Sequence, residues 1–210
     1  MYFDDTVELE KYHIMTAKDA DAFALCLAKG FKDYPLFEYF AKNKYDIDKM
    51  VYFWNVTFRA GKGQIFTFAD SDKPKAVCML EGPDYKDSGF CGYVAAGGLG
   101  LVTRFGAGAV ANMLKFEDFA ANIRKKYYTP TCCYLYILAV CPEFRGKGIG
   151  TDILNNLFAY FDRTGKDCYL EPMDTKNVHL YEKFGFDLKE SVKIPNTDMF
   201  LYSMFRKSRQ

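Results

Sequence analysis

Residues 134–140 read Tyr-Leu-Tyr-Ile-Leu-Ala-Val, an uncharged run of buried-strand character. Residues 148–163 then place Ile149, Ile153, Leu154, Leu157, Phe158 and Phe161 on one face of an amphipathic helix. Only Cys141-Pro142-Glu143-Phe144-Arg145-Gly146-Lys147 stands between them. A buried strand that turns at once into a helix must cross to a parallel neighbour. The neighbour is the next strand-like run, Asp167–Glu171, which follows the stop at Gly165. A β-α-β unit is therefore expected at the centre of the fold. Its glycine-rich turn meets a helix N-terminus, where unpaired N–H groups and the helix dipole make an anion site.

The other elements are arranged around this unit. Val7–Met15 reads as an opening strand and Ala17–Phe31 as a helix capped by Thr16, with a break at Lys32-Asp33-Tyr34-Pro35. Ile47, Met50, Val51, Trp54 and Phe58 recur at helical spacing over 46–58. Strands at 64–69 and 75–80 flank the turn formers of 70–74, and a closing hairpin pairs 186–192 with 199–205 across Pro195-Asn196. A short helix is expected over 177–184. Between 81 and 129 lies an irregular, glycine-rich stretch with one strong helix near 110–126. The fold class expected is α/β, a mixed and mostly antiparallel sheet with one parallel β-α-β unit, flanking helices and a helical insertion at 82–129. One domain spans 1–210, with its core at 132–205.

Bulk properties narrow the function. Lys+Arg number 28 and Asp+Glu 27, a balance that argues against binding nucleic acid through a broad basic footprint. Arg124-Lys125-Lys126 reads as a helix-dipole complement, and 206–209 as a solvated tail. Seven cysteines without a CxxC pair, and two histidines, form neither a disulfide framework nor a metal pattern. Arg104 interrupts the apolar stretch 90–114, which leaves pieces too short to span a bilayer. A cytoplasmic protein, monomer or homodimer, with no metal and no membrane or nucleic-acid partner is expected.

Three glycine-rich devices compete for the turn. A P-loop needs a hydroxyl residue after its Gly-Lys, and Gly148 stands there. A dinucleotide fingerprint matches Gly106-Ala107-Gly108-Ala109-Val110-Ala111 in letters, without a framing β-α-β unit or a correctly spaced acid. The third device, R/Q-x-x-G-x-G/A, matches Arg145-Gly146-Lys147-Gly148-Ile149-Gly150 without a gap.

With its Val-x-Pro-x-x-Arg lead-in, and with Asn177-Val178-His179-Leu180-Tyr181-Glu182-Lys183-Phe184-Gly185-Phe186 close to N-x-x-x-Y-x-x-x-G-F, the region 132–205 resembles the GNAT family of N-acetyltransferases. The resemblance implies acetyl-coenzyme A as co-substrate, with its pyrophosphate on the amides of Gly146, Lys147, Gly148, Ile149, Gly150 and Thr151. Arg145 and Lys147 add charge at the rim, or are simply surface. It also implies that the strand at 134–140 splays from 167–171, which frees backbone groups near Leu138, Ala139 and Val140 for the pantetheine arm. Asn177 is implied at the cofactor, as the cap of its helix, or both.

The chemistry implied is direct transfer of an acetyl group to a primary amine. An amine of pKa about 10.4 costs ~4.6 kcal/mol to deprotonate at pH 7, so a base, thioester-oxygen donors and an acid for the thiolate are needed. Tyr181 is the candidate acid, a phenol protonated at neutral pH. The glutamate that some relatives carry on the strand before the loop is replaced by Tyr134. Glu171 is the leading carboxylate for the base; a purely structural ion pair for Glu171, and proton loss through water, stay open. Cys141 as a nucleophile has no neighbouring histidine. The acceptor side falls to residues 36–60 and 82–129, rich in aromatics that either line a pocket or pack a core. The acceptor expected is a small-molecule amine; the competing readings are a non-catalytic acyl-coenzyme A-binding module and a dinucleotide oxidoreductase.

Overall fold

The computed structural model describes residues 11–41, 44–61, 65–86 and 88–209, and in these residues one seven-stranded sheet runs β1-β2-β3-β4-β5-β7-β6. The strands are β1 (His13–Ile14), β2 (Ile65–Ala69), β3 (Ala76–Glu81), β4 (Cys132–Val140), β5 (Asp167–Leu170), β6 (Asp187–Lys193) and β7 (Phe200–Arg206). Every pairing is antiparallel except β4 with β5. That pair is joined by α7 (Ile149–Arg163), so the expected mixed sheet with one parallel β-α-β unit is present.

Helices cover both faces. The first face carries α7 and α8 (Thr175–Lys183), and its core includes Ile153, Leu154, Leu157, Phe158 and Phe161. Burying a side chain of this kind is worth about 1.5–3 kcal/mol. The second face carries α1 (Ala20–Gly30), α2 (Pro35–Phe40) and α3 (Ile47–Ala60), with Phe23, Leu27, Phe37, Met50 and Trp54 in its core. With helices on both sides, β3 is buried at every residue. The segment 82–129 folds into α4 (Gly89–Ala95), α5 (Leu99–Phe105) and α6 (Ala107–Arg124). None of the described helices is long and apolar enough to cross a membrane.

Several local expectations are corrected. Of the opening strand only His13–Ile14 is paired, and its residues 7–10 lie outside the described residues, as does Gln64. Thr16 does not cap α1; the chain turns once more, Asp19 takes the N-terminal position, and Thr16 donates to its carboxylate through N–H (2.7 Å) and Oγ1 (2.6 Å). Pro35 both breaks the chain and starts α2, since a first-turn proline gives up no needed N–H. Asp174, whose side chain accepts from the Lys176 N–H, caps α8, so Asn177 sits inside that helix. Gly106 joins two helices with no strand before it, which removes the frame a dinucleotide fingerprint requires.

The supposed solvated tail is also a correction. Arg206 is 3% exposed and grips Asp162 of α7 through both terminal nitrogens, at 2.8 and 2.6 Å, while its Nε donates to the Phe184 carbonyl. Burial alone raises the Asp162 pKa, but the Arg206 guanidinium outweighs it and the net shift is downward. A depressed carboxylate stabilises the fold above its unfolded pKa of about 3.9, and that contribution fades as pH falls through the folded value. Replacing Arg206 with Met should cost about 2–3 kcal/mol at pH 7, at the low end because Asp162 is partly solvated. Urea denaturation from pH 7 down to pH 3 should also show a shallower acid loss in the variant than in wild type.

Candidate active site

The site is made where β4 and β5 part. They pair only at Cys132–Asp167, Cys133–Cys168 and Tyr134–Tyr169. Two residues later β4 carries a bulge: Leu135 faces Leu80 and Ile137 faces Met79, so Tyr136 is extra. A bulge sharpens the local twist and re-aims the strand. It also shifts the side-chain alternation by one, so that Tyr136 and Ile137 both pack on the second face while Leu138 and Val140 pack on the first.

Beyond the bulge β4 has a partner on one edge only. The Cys141 N–H donates to the Lys75 carbonyl at 2.7 Å, which sets the ladder phase. By antiparallel alternation the main-chain groups of Ala139 point to Val77 of β3, and those of Leu138 and Val140 point into the gap left by β5. Of the three residues expected to offer free backbone groups, Leu138 turns both main-chain groups to the gap, Val140 leaves only its N–H unpaired there, and Ala139 turns both to β3. The Val140 carbonyl accepts from Arg145 Nε at 3.2 Å, and the same guanidinium reaches the Gly30 carbonyl at the end of α1. Arg145, which is exposed, therefore braces the loop against α1.

The loop itself presents unpaired amides at a helix N-terminus. Gly146 and Gly148 lie at φ +75° and +81°, backbone that L side chains rarely adopt, and Gly148 is the N-cap of α7. The N–H groups of residues 146–151 make no hydrogen bond to any described residue. Lys147 Nζ lies 5.0 Å from the Phe144 ring centroid, beside the loop. Asp152, the one acid in the first turn of α7, is held by Lys11 Nζ (3.0 Å) and the Tyr12 hydroxyl (2.9 Å), which draws its charge aside.

A cavity of about 130 Å³ opens at the parting of the strands. Leu135, Leu138, Leu170 and Tyr181 of its wall belong to the first face, and Phe31, Phe37, Trp54 and Ile137 to the second. The cavity therefore passes through the sheet. Asn177 and Tyr181, one helical turn apart on α8, both reach it. The Tyr181 ring meets Phe186 edge-on at 5.6 Å, its hydroxyl bonds no described residue, and burial drives its pKa up. Its proton is thus firmly held at neutral pH.

Glu171 also lines the cavity, but it does not stand alone. Its side chain is 4% exposed and accepts from the hydroxyls of Tyr134 and Tyr169, each at 2.9 Å, and from Arg124 of α6 at 3.4 Å. Burial raises its pKa, and Arg124 opposes the rise without cancelling it. Arg124 is thus no helix-end ornament: it is 14% exposed and lies 4.1 Å from the Tyr134 ring. Cys141 points away from the cavity, with its Sγ 3.0 Å from Cys26 Sγ in the second core.

Two wall residues escape sequence reasoning. Tyr34 accepts from the Met173 N–H at 3.1 Å, and burial pushes its pKa up to about 12. Its signal was its place before Pro35, which holds it extended at the N-cap of α2. Glu117 of α6 reaches the same cavity and carried no signal beyond helix periodicity.

Residues 36–186 match the model of the acetyltransferase (GNAT) family. The chain belongs to the GNAT family. A 57-residue segment is 35% identical to mycothiol acetyltransferase of Propionibacterium freudenreichii, covering 26% of this chain and 18% of that protein. A 79-residue segment is 28% identical to an uncharacterized N-acetyltransferase of Methanocaldococcus jannaschii, covering 36% and 33%. These matches span a third or less of either relative. A crystal structure from Corynebacterium glutamicum, described as histone acetyltransferase HPA2 and related acetyltransferase, is similar over 95% of this chain and 98% of its own, with TM-score 0.64 and 18% identity. The ribosomal-protein-S18-alanine N-acetyltransferase of Escherichia coli is similar over 95% and 94%, with TM-score 0.54 and 14% identity. At such identities the likeness is one of fold.

The Arg124–Glu171 contact ties the helical segment to the GNAT sheet, and its loss has a pH signature. A carboxylate whose folded pKa is raised favours folding below its unfolded pKa of about 4.3, and that advantage disappears as pH rises through the folded value. Removing the guanidinium raises the folded value further. Arg124→Met should cost about 2–4 kcal/mol at pH 8 and less at pH 5, because lowering the pH favours the neutral carboxyl, which needs no guanidinium. Paired urea titrations at the two pH values measure the difference.

Proposed function

We propose that this GNAT protein moves the acetyl group of acetyl-coenzyme A directly to the primary amine of a small molecule. The observation that carries the reading is the cavity through the sheet. A donor laid against the first face and an acceptor held on the second can meet inside it without a covalent enzyme intermediate.

The chain's own groups fit the donor. Unpaired amides at 146–151 suit a pyrophosphate, since anions are favoured where N–H groups and a helix dipole converge. The outward main-chain groups of Leu138 and the outward N–H of Val140 suit an amide-bearing arm that adds as a strand. Asn177 stands on the same wall. Bound there, acetyl-coenzyme A supplies the activated acyl group, and the protein supplies position and proton traffic.

For that traffic we assign Tyr181 as the acid and Glu171 as the proton's destination. The Tyr181 hydroxyl hydrogen is committed to no described residue and lies in the cavity wall, ready to donate to sulfur as the thiolate forms. Its raised pKa makes it a dependable hydrogen-bond donor and a reluctant acid, so the proton moves late, as negative charge accumulates on sulfur. The second proton, shed by the nitrogen as the amide forms, restores the phenol. On the other side Tyr134, also in the wall, already donates to Glu171. The amine's proton passes to the Tyr134 oxygen as the Tyr134 proton passes to Glu171, and the phenol stays neutral throughout. Burial raises the Glu171 pKa and narrows the gap to the amine.

One observation favours a second reading. Glu171 already has Arg124 and two tyrosines, as a structural carboxylate in a non-catalytic coenzyme A-binding module would. Turnover separates the two. Tyr181→Phe should lower kcat about 10²-fold with the KM for acetyl-coenzyme A within about threefold; a wild-type kcat in that variant removes the acid assignment. Gly148→Glu should abolish coenzyme A binding in calorimetry, because it strains φ +81° and sets a negative charge before the amides. Unchanged affinity there refutes the loop as the pyrophosphate site.

A further inference from the structure

The helix that carries Tyr181 is lightly packed. Of the nine residues of α8 Val178 alone is buried, and Tyr181 reaches the first core only part-way. Side-chain packing therefore does little to set where the Tyr181 hydroxyl stands, and the helix is tied at its two ends instead. Beyond its last turn the Phe184 carbonyl accepts from Arg206 Nε at 2.9 Å. At its first turn the Asp174 carboxylate accepts from the Lys176 N–H at 2.9 Å.

Asp174 closes a short strap, Pro172-Met173-Asp174, that leaves the sheet at Glu171. The strap is held from two sides. The Tyr202 N–H of β7 donates to the Pro172 carbonyl at 3.0 Å, and the Met173 N–H donates to the Tyr34 hydroxyl oxygen at 3.1 Å. Tyr34 is a stiff hook. Its backbone is the N-cap of α2, Pro35 restricts it to extended conformation, and its ring packs on Phe31 at 5.4 Å and on Phe37 at 6.2 Å. One phenol thus joins the start of α2 to the strap between Glu171 and α8, and it shares the cavity wall with Tyr181.

We infer that Tyr34 is a positioning residue: by holding the Met173 N–H it fixes the start of α8, and so the reach of the Tyr181 hydroxyl, without exchanging a proton itself. The inference rests on the acetyl-transfer reading above and on Tyr181 as its acid. Proton transfer needs hydrogen-bond reach, and a displacement of about 1 Å can cost on the order of 10²-fold in rate. Loss of the Tyr34 hydroxyl leaves the Tyr202 and Asp174 bonds in place, so the strap slackens without coming free.

The test is a double-mutant cycle between Tyr34→Phe, which removes one oxygen and keeps the ring, and Tyr181→Phe. Thiol release from acetyl-coenzyme A is followed with benzylamine, 1,4-diaminobutane and an alanyl tetrapeptide as acceptors. Sites are counted by calorimetric titration with coenzyme A, so unfolded protein does not enter kcat. On the acceptor that wild type turns over fastest, Tyr34→Phe should lower kcat about tenfold with the KM for acetyl-coenzyme A within about threefold. In the Tyr181→Phe background the same substitution should change kcat by less than about twofold, because no acid is left to place. Asp174→Ala, which slackens the strap from its other end, should show the same dependence on Tyr181. An unchanged kcat in Tyr34→Phe, or a loss that persists in full in the Tyr181→Phe background, overturns the positioning role and leaves acetyl transfer standing. A wild-type kcat in Tyr181→Phe alone removes the acid and the role of Tyr34 with it. Absence of thiol release on every acceptor while coenzyme A still binds removes acetyl transfer and this inference together.

Discussion

The separation of β4 from β5 after Tyr134 and Tyr169 is the constraint on which everything else in this molecule depends. A parallel pair that stayed zipped would spend the main-chain groups of Leu138 and Val140 on β5 and would close the sheet. The bulge at Tyr136 prevents this by adding one residue against β3, which turns the strand away and reverses which side chains face which core. The strand end is then held in its new direction by Arg145, through the Val140 and Gly30 carbonyls, and by the Cys141–Lys75 bond. A sheet normally divides a protein into two compartments. Here it is made to leak at one place, and the functional groups gather at the leak.

One of the two ion pairs follows the same logic. Arg206–Asp162 fastens β7 to α7, and Arg124–Glu171 fastens the last turn of α6 to the end of β5. Arg124–Glu171 lies where β4 and β5 part and no ladder hydrogen bond joins them, whereas Arg206–Asp162 lies at the other end of β5, beside Cys168, where the two strands are still paired. Buried pairs are weak sources of net stability, but they are demanding of geometry. Two tyrosines share the Glu171 carboxylate, so its position is set from several directions at once. The proposed role of Glu171, receiving a proton through a relay, requires that kind of fixing.

Much of the donor side was legible in the sequence. The uncharged run 134–140, the glycines at 146, 148 and 150, and the apolar face of α7 report directly on a strand, a turn and a helix adjacent in the chain, and local pattern encodes local geometry. The match to the GNAT family over 36–186 and the mixed sheet agree with that reading. What escaped was tertiary. Arg124 and Arg206 looked like surface charges because their partners lie 47 and 44 positions away. The bulge escaped because Tyr134-Leu135-Tyr136-Ile137 is apolar at every position, so no alternation existed to be seen breaking. Asp174 was passed over as a cap because Asn177, a good capping type itself, stood three residues on.

The asymmetry between the two sides of the site has a physical origin. A pyrophosphate is gripped mainly by main-chain N–H groups, which every sequence possesses; what the sequence must add is permission, in the form of glycines at positive φ, and permission is local and readable. An acceptor is gripped by side chains, and side chains of different chemistry must converge from separate elements. Tyr34 comes from the turn before α2, Trp54 from α3, Glu117 from α6, Glu171 from the end of β5 and Tyr181 from α8. No spacing rule connects these five, because they meet only after the chain has folded. The same convergence leaves the acceptor wall free to vary without disturbing the loop, since none of its side chains contributes an amide to the cradle. One phosphate grip could thus serve many acceptors, and on the proposed reading the acceptor of this chain is set by the shape and polarity of the cavity.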